Sequence, residues 1–156
     1  MTAAASKPVI TRTRAVWRGD HRFDAGPEGR VAAIDADAKA APGPVETLLN
    51  AIATCSAVDV LDILAKRRTP ASGLEVRVDA PRRQEAPRRV ERLDIEFHID
   101  GSAIEPTHAE YAIGLSFEKY CSVAASLAPD IAVWTTLVLN GERGKPQRRM
   151  IWQDGC

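Results

Sequence analysis

A long stretch without glycine or proline constrains the fold of this chain more than any other feature. The segment VETLLNAIATCSAVDVLDILAKRR follows Pro44 and ends in a basic cluster at Arg68. Proline suits the first turn of a helix, where its missing N–H costs nothing, and basic side chains suit the last turn. The segment therefore predicts a helix over 44–68. Its apolar residues wrap most of its circumference, so this helix is expected to be buried on most sides.

The segments on either side of this helix predict β-strands. Those before it combine β-branched residues with turn signals and predict a small antiparallel meander. Those after it alternate with period two or are strongly β-prone, and the charged stretch PRRQEAPRR predicts a hairpin loop between the first two. The strand candidates are 8–17, 21–23, 30–36, 74–80, 90–99 and 131–139.

A second helix is predicted over 106–120, and Ser122 is a candidate cap for a further helical turn through Ala128. Residues 141–156 read as a loose tail. No internal repeat interrupts the pattern. The sequence therefore predicts an α+β fold of order β-β-β-α-β-β-α-β, in a single domain over 1–156 with its core at about 8–140.

Composition excludes several classes of function. The 156 residues include 21 basic and 21 acidic side chains, so no overall charge favours nucleic acid or an anionic membrane. No apolar run is expected to approach the roughly 20 residues that cross a bilayer, and the first residues contain no apolar signal core. We expect a soluble, intracellular protein.

Three cysteines at long spacings are expected to be thiols rather than disulfides.

Taken one at a time, the chemically reactive side chains are unremarkable. Cys55 and Cys121 are 66 residues apart, which excludes a CxxC motif, and a lone buried cysteine usually behaves as a small hydrophobe. Cys156 is expected to be an unpaired, exposed thiol without a role. The histidines show no ligand spacing with the cysteines, so no metal site is predicted. They are His21, His98 and His108.

Five arginines lie between Pro81 and Arg92 and offer a charged surface. They could contact an acidic partner. Intervening Gln84 and Glu85, and the lack of interleaved aromatic residues, favour a solvated hairpin loop instead. The arginines are Arg82, Arg83, Arg88, Arg89 and Arg92.

Larger motifs make the chain resemble a known family. GPVETLLNAIATCSAVDVLDILAKRR, followed at this distance by FEKYCSV and preceded by WRGDHRF, resembles the OsmC/Ohr family of thiol-dependent peroxidases. The resemblance extends from Ala15 to about Asn140, and the phrases CSAVDV and KYCSV are similar to the YhfA-like branch. It implies antiparallel sheets wrapped around two central helices in an intertwined homodimer.

The resemblance also implies roles for the two internal cysteines. Cys55 would be the peroxidatic cysteine, which attacks the O–O bond and becomes a sulfenic acid, and Cys121 the resolving cysteine that closes a disulfide. Peroxide would be the substrate and an intracellular dithiol the reductant. No cofactor, nucleic acid or membrane partner is expected, and the expected location is cytoplasmic.

A thiolate requires activation by a nearby cation or hydrogen-bond donor. The family supplies an arginine held by a glutamate, and the candidates are Glu46, with Arg22 first and Arg18 second. The best-known members carry the glutamate directly after the proline, where this chain has Val45. Nine residues separate Glu46 from Cys55, or about 13 Å along a helix and half a turn out of phase. Glu46 could therefore serve Cys55 only from another subunit.

Two functions follow as expectations. The first is a peroxidase that reduces organic hydroperoxides or hydrogen peroxide. The second is a module that keeps the fold without the chemistry, because Val45 displaces the expected glutamate, and binds a small apolar ligand in a cleft between subunits.

Overall fold

The computed structural model describes residues 8–151. The chain divides into two compact units, and the boundary falls between Thr47 and Leu48. Each unit contains its own β-sheet, and the first long helix begins at Pro44 in the first unit and continues into the second.

The N-terminal unit contains the expected antiparallel meander. Strands β1 (Arg14–Trp17), β2 (Arg22–Gly26) and β3 (Ala32–Asp35) form one sheet in that order. The first turn places Gly19 and Asp20 at φ angles of 102° and 47°, in the left-handed region that glycine and aspartate tolerate best. β1 is shorter than the predicted strand over 8–17 because pairing with β2 begins only at Arg14.

The loop after β3 leads the chain into the first helix and is organised by a buried carboxylate. The backbone N–H groups of Asp37, Lys39 and Ala40 donate to the side chain of Asp35 at 3.0–3.2 Å. These hydrogen bonds, that from Ala40 first, hold the pKa of Asp35 below its ordinary value. A charged Asp35 therefore fixes the loop that precedes the helix.

The helix predicted over 44–68 is α1 (Pro44–Lys66). It ends where Arg68 takes a φ of 62° and the N–H of Thr69 bonds to the carbonyl of Leu64. The prediction that it is buried on most sides is wrong for the chain by itself. Only residues spaced by four are fully buried, whereas Val58 is 56% and Leu61 38% exposed. The buried residues are Ile52, Ser56, Val60 and Leu64.

The expectation that no segment has the length and composition to cross a bilayer is also wrong. By these two measures α1 qualifies. Isolated polar residues such as Asn50 and Asp59 interrupt the apolar run in α1. Their apolar neighbours outweigh them in the mean hydropathy of the helix, which is therefore high. Core helices of soluble proteins pass the same test.

The C-terminal unit contains a five-stranded mixed sheet. β4 (Gly73–Asp79) pairs antiparallel with β5 (Arg92–Asp100), as the predicted hairpin requires. β5 pairs parallel with β6 (Ala132–Leu139), because the connection between them passes through helices. This parallel pair at the centre is an addition to the antiparallel arrangement that was expected. Alternate residues of β5 are buried and form the core face of the strand: Leu93, Ile95, Phe97 and Ile99.

The segment predicted as a helix over 106–120 contains two kinds of helix. α2 (Pro106–Leu115) packs against β6 and is followed directly by a π-helical turn, Ser116–Tyr120. Phe117 of this π turn contacts Phe97 edge to face, with ring centroids 6.4 Å apart, and anchors the turn in the core. The predicted further turn is α3 (Ser122–Ala125), which ends before Ala128. The prediction that Ser122 caps it is wrong, because Cys121 is the N-cap residue and its sulfur accepts from the N–H of Ala124.

The prediction of a loose tail over 141–156 is wrong for the part that the structure describes. β7 (Glu142–Arg143) and β8 (Gln147–Arg149) both pair with β6. Arg149 donates to Thr135 at 2.7 Å and to the carboxylate of Glu110 at 2.5 Å, which ties β8 to the sheet and to α2. The arginine side chain is 9% exposed, so this ion pair is largely shielded from water.

Candidate active site

Two thiols and a carboxylate come together in the C-terminal unit. The sulfur atoms of Cys55 and Cys121 and a carboxylate oxygen of Asp59 all lie within 4.8 Å of one another. Cys55 and Asp59 are half-buried, Cys121 is buried, and both cysteines are free thiols. We call these three residues the thiol cluster. It joins residues that the sequence separates by 66 positions.

α1 positions the first two members. Cys55 and Asp59 are four residues apart, so their side chains lie one above the other on the same face of the helix. This face adjoins the fully buried stripe that includes Ile52 and Ser56. Both groups are therefore held at the edge of the core, where a thiol and a carboxylate are only partly hydrated.

The π turn positions the third member. The N–H of Cys121 donates to the carbonyl of Ser116 at 2.7 Å, a bond that spans five residues and closes the turn. The hydroxyl of Ser116, which is fully buried, donates to Asp59 Oδ2 at 2.8 Å. Ser116 thus fixes both the backbone that precedes Cys121 and the Asp59 carboxylate on α1. The predicted regular helix to Tyr120 would not have made the five-residue bond.

The environment of Cys121 favours its protonated form. Burial first, and then the neighbouring Cys55 and Asp59, raise the pKa of the Cys121 thiol to about 11. The N–H of Ala124 donates to the sulfur at 3.4 Å and opposes the rise. Cys121 is therefore a thiol, not a thiolate, at neutral pH.

Asp59 is the member of the site that reasoning from the sequence missed. It stands inside the phrase CSAVDV, four residues after Cys55. The i to i+4 spacing was available as a signal, because it places a carboxylate beside the thiol on one helix face. Asp59 was not among the predicted site residues because only cysteines and histidines were considered as reactive groups on the helices.

Glu46 has a structural partner in the N-terminal unit. Its carboxylate accepts a hydrogen bond of 2.7 Å from the N–H of Gly43, the residue before α1. A glutamate at the third helical position that reaches back in this way satisfies an N–H that the helix leaves unpaired. The structure thus gives Glu46 a capping contact, and its predicted catalytic role stays a prediction.

The two candidate arginines also have carboxylate partners in the N-terminal unit. Arg18 Nε lies 2.7 Å from Asp24, and an Arg22 guanidinium nitrogen lies 3.2 Å from Asp20. All four side chains are at least one third exposed. The activating role predicted for Arg22 or Arg18 stays a prediction.

The remaining candidates lie elsewhere. His21 and His98 pair with Asp37 and Glu96, and in the part of the chain that the structure describes the donor cluster contains no histidine. Several arginines of the 81–92 segment bond to carbonyl groups of that segment, and Arg89 pairs with Asp130, which agrees with a solvated hairpin loop. Cys156 lies outside the described residues.

Comparison with known proteins identifies the family. Residues 36–136 match the family described as OsmC-like protein, and the chain belongs to that family. Over 87 residues it is 41% identical to Protein YhfA of Escherichia coli strain K12, a match that covers 56% of this chain and 65% of that protein. The chain thus matches slightly less than two thirds of the length of this relative.

Solved structures confirm the fold. An OsmC-like protein from Mycoplasma pneumoniae superposes with a TM-score of 0.74 at 15% identity, covering 84% of this chain and 97% of that one. The organic hydroperoxide resistance protein OhrB of Bacillus subtilis gives a TM-score of 0.57 at 11% identity, covering 83% and 98%. The resemblance noted in the motifs and the expected α+β fold are therefore confirmed.

The protonated state of Cys121 predicts its reactivity. In the reduced wild-type chain, alkylation of Cys121 by iodoacetamide should accelerate about tenfold per pH unit from pH 7, with no plateau by pH 10, because its pKa is about 11. Peptide mass spectrometry measures the rate at this residue. Free cysteine, whose pKa is about 8.5, serves as the reference and should reach its plateau earlier. A plateau for Cys121 below pH 9 would contradict the prediction.

The capping contact of Glu46 predicts a difference between two variants. Glu46→Ala should lower the free energy of unfolding by about 1 kcal/mol, because the Gly43 N–H loses its acceptor. Glu46→Gln keeps an acceptor oxygen and should unfold close to wild type. Urea denaturation followed by circular dichroism measures both. Equal stability of the alanine and glutamine variants would show that the contact contributes nothing.

Proposed function

We propose that this chain is a thiol peroxidase that reduces organic hydroperoxides or hydrogen peroxide through Cys55 and Cys121. The observation that carries the proposal is the approach of the two free thiols in the thiol cluster. Membership of the OsmC-like family and the fold shared with an organic hydroperoxide resistance protein support it.

The proposed cycle has three balanced steps. The Cys55 thiolate attacks the peroxide, the O–O bond breaks, and Cys55 becomes a sulfenic acid while the departing oxygen takes a proton from solvent and leaves as an alcohol or water. The Cys121 sulfur then attacks the sulfenic sulfur, its proton leaves with the hydroxyl as water, and a Cys55–Cys121 disulfide forms. An external dithiol finally reduces the disulfide and is itself oxidised.

The surroundings support this division of roles. Cys55 is half-buried and remains open to substrate, whereas Cys121 is buried and 2% exposed. The raised pKa of Cys121 suits a resolving thiol, which reacts only after Cys55 has become electrophilic. Arg22, or Arg18 in its place, is the proposed cation that favours the Cys55 thiolate.

Asp59 is the observation that favours the alternative. The Asp59 carboxylate contributes to the raised pKa of Cys121, and Glu46 is engaged at the helix start. The second candidate is therefore a module with the same fold that binds a small apolar ligand in a cleft between subunits and does not reduce peroxide.

We further propose that the protein acts as a homodimer in the cytoplasm, where dithiol reductants keep the cysteines reduced. Three apolar side chains of α1 support the dimer, since a single chain leaves them in water at a cost of about 25 cal/mol for each Å². They are Leu48, Val58 and Leu61, which are 41%, 56% and 38% exposed.

A thiol titration separates the peroxidase from the binding module. One equivalent of cumene hydroperoxide should remove two thiols per chain, and peptide mapping without reductant should recover a Cys55–Cys121 crosslink. Cys121→Ser should complete one turnover and stop, whereas Cys55→Ser should not react. Cys156→Ser is the control and should behave as wild type. An unchanged thiol count supports the binding module, and a dominant crosslink to Cys156 would contradict the cycle.

Sedimentation equilibrium tests the dimer. At micromolar concentration the mass should be twice the chain mass of 16.9 kDa. Val58→Asp places a charge on the exposed apolar face of α1 and should shift the equilibrium at least tenfold toward monomer. Met150→Asp, at another exposed apolar position, is the matched control and should leave the mass unchanged. A wild-type mass near one chain would refute the proposal.

A further inference from the structure

We propose that the reduced thiol cluster is a binding site for a thiophilic divalent cation, with Zn²⁺ as the physiological candidate. Its ligands would be Cys55 Sγ, a carboxylate oxygen of Asp59 and Cys121 Sγ, and water would take the fourth position. The histidines show no ligand spacing with the cysteines, so the sequence predicts no metal site. Two sulfurs and one carboxylate nevertheless form a donor set that zinc accepts.

The donor atoms lie near enough to one another to share one ion after a small contraction. In a tetrahedral zinc site, bonds of about 2.3 Å to sulfur and 2.0–2.2 Å to oxygen place neighbouring ligand atoms about 3.5–3.8 Å apart. The three donors lie within 4.8 Å of one another before any ion binds. A contraction of about one ångström completes the geometry, and rotation of the half-buried Cys55 side chain can provide it.

Two of the ligands are already held by hydrogen bonds. The hydroxyl of Ser116 donates to Asp59 Oδ2, which orients the carboxylate. The N–H of Ala124 donates to Cys121 Sγ and favours charge on that sulfur. Outer contacts of this kind orient metal ligands and commonly change the affinity for the ion about 10- to 100-fold.

The type of donor decides the type of ion. Thiolates select zinc, cadmium and similar soft ions over calcium and magnesium, which prefer oxygen ligands. Each cysteine that binds as a thiolate gives up its proton to the buffer, so binding exchanges one cation for the thiol protons. The bound ion neutralises most of the negative charge that Asp59 and the two sulfurs would otherwise hold in a half-buried place.

The site exists only in the reduced protein. A disulfide between Cys55 and Cys121 removes two of the three ligands, so oxidation should release the ion. Binding of the ion does not depend on the proposed peroxidase activity. One consequence does rest on that activity: zinc should block the attack of Cys55 on peroxide.

Cadmium titration of the reduced full-length chain tests the site. A Cys156→Ser background removes the third thiol, and the ultraviolet cadmium–thiolate band reports binding. We expect one ion per chain, displacement by Zn²⁺ and not by Mg²⁺, and no band in the disulfide form. Cys55→Ser and Cys121→Ser should each lose at least tenfold in affinity, whether or not the wild type consumes peroxide.

Asp59→Asn provides the most specific variant. The amide oxygen can still accept from Ser116, so the fold is kept, but a neutral amide is a poor zinc ligand, and affinity should fall about tenfold or more. Asp62→Asn, on the same helix and outside the cluster, is the matched control and should bind as wild type. Thermal unfolding without metal checks that each variant is folded. Wild-type affinity in Asp59→Asn, or equal binding by the disulfide form, would overturn the proposal.

Discussion

The hydrogen bond from Ser116 to Asp59 is the interaction on which the functional part of the molecule depends. It joins α1 to the π turn across 57 residues of sequence, at a length of 2.8 Å. A half-buried carboxylate is costly without a donor, and a fully buried hydroxyl is costly without an acceptor, so each group satisfies the other. Because Cys55 lies one turn before Asp59, and Cys121 directly follows the π turn, the same contact brings the two sulfurs together.

The thiol cluster contains three groups that can carry negative charge and lies partly away from water. In such surroundings a thiolate requires a nearby cation or hydrogen-bond donor. A guanidinium would favour the Cys55 thiolate and peroxide chemistry, whereas a divalent metal ion would bind both sulfurs and prevent it. The two proposals are therefore physically related, because an arginine and a metal ion would satisfy the same electrostatic requirement in different ways.

The sequence predicted the elements of secondary structure well where local signals agree. Pro44 and the Gly- and Pro-free run defined α1, and alternation of period two defined β5 with its buried Leu93 and Phe97. It failed where the outcome depends on distant partners. The polar residues after Leu139 predict a loose tail, but the segments Glu142–Arg143 and Gln147–Arg149 pair with β6. Arg149 also forms an ion pair with Glu110 on α2. The exposure of Val58 and Leu61 likewise depends on which other elements cover the helix. The spacing of apolar residues along the helix does not contain that information.

For the site, the motifs around Cys55 and Cys121 were sufficient to identify the family and to name both thiols. Their spacing in the chain could not show that the sulfurs approach one another, because 66 residues of intervening chain permit many separations. The five-residue bond from Cys121 to Ser116 and the bond from Ser116 to Asp59 decide that approach. Both arise because Phe117 enters the core and Ser116 must find an acceptor. Residue types and local spacing thus determined which groups are reactive and that Asp59 lies beside Cys55, whereas packing alone decided that Cys121 joins them.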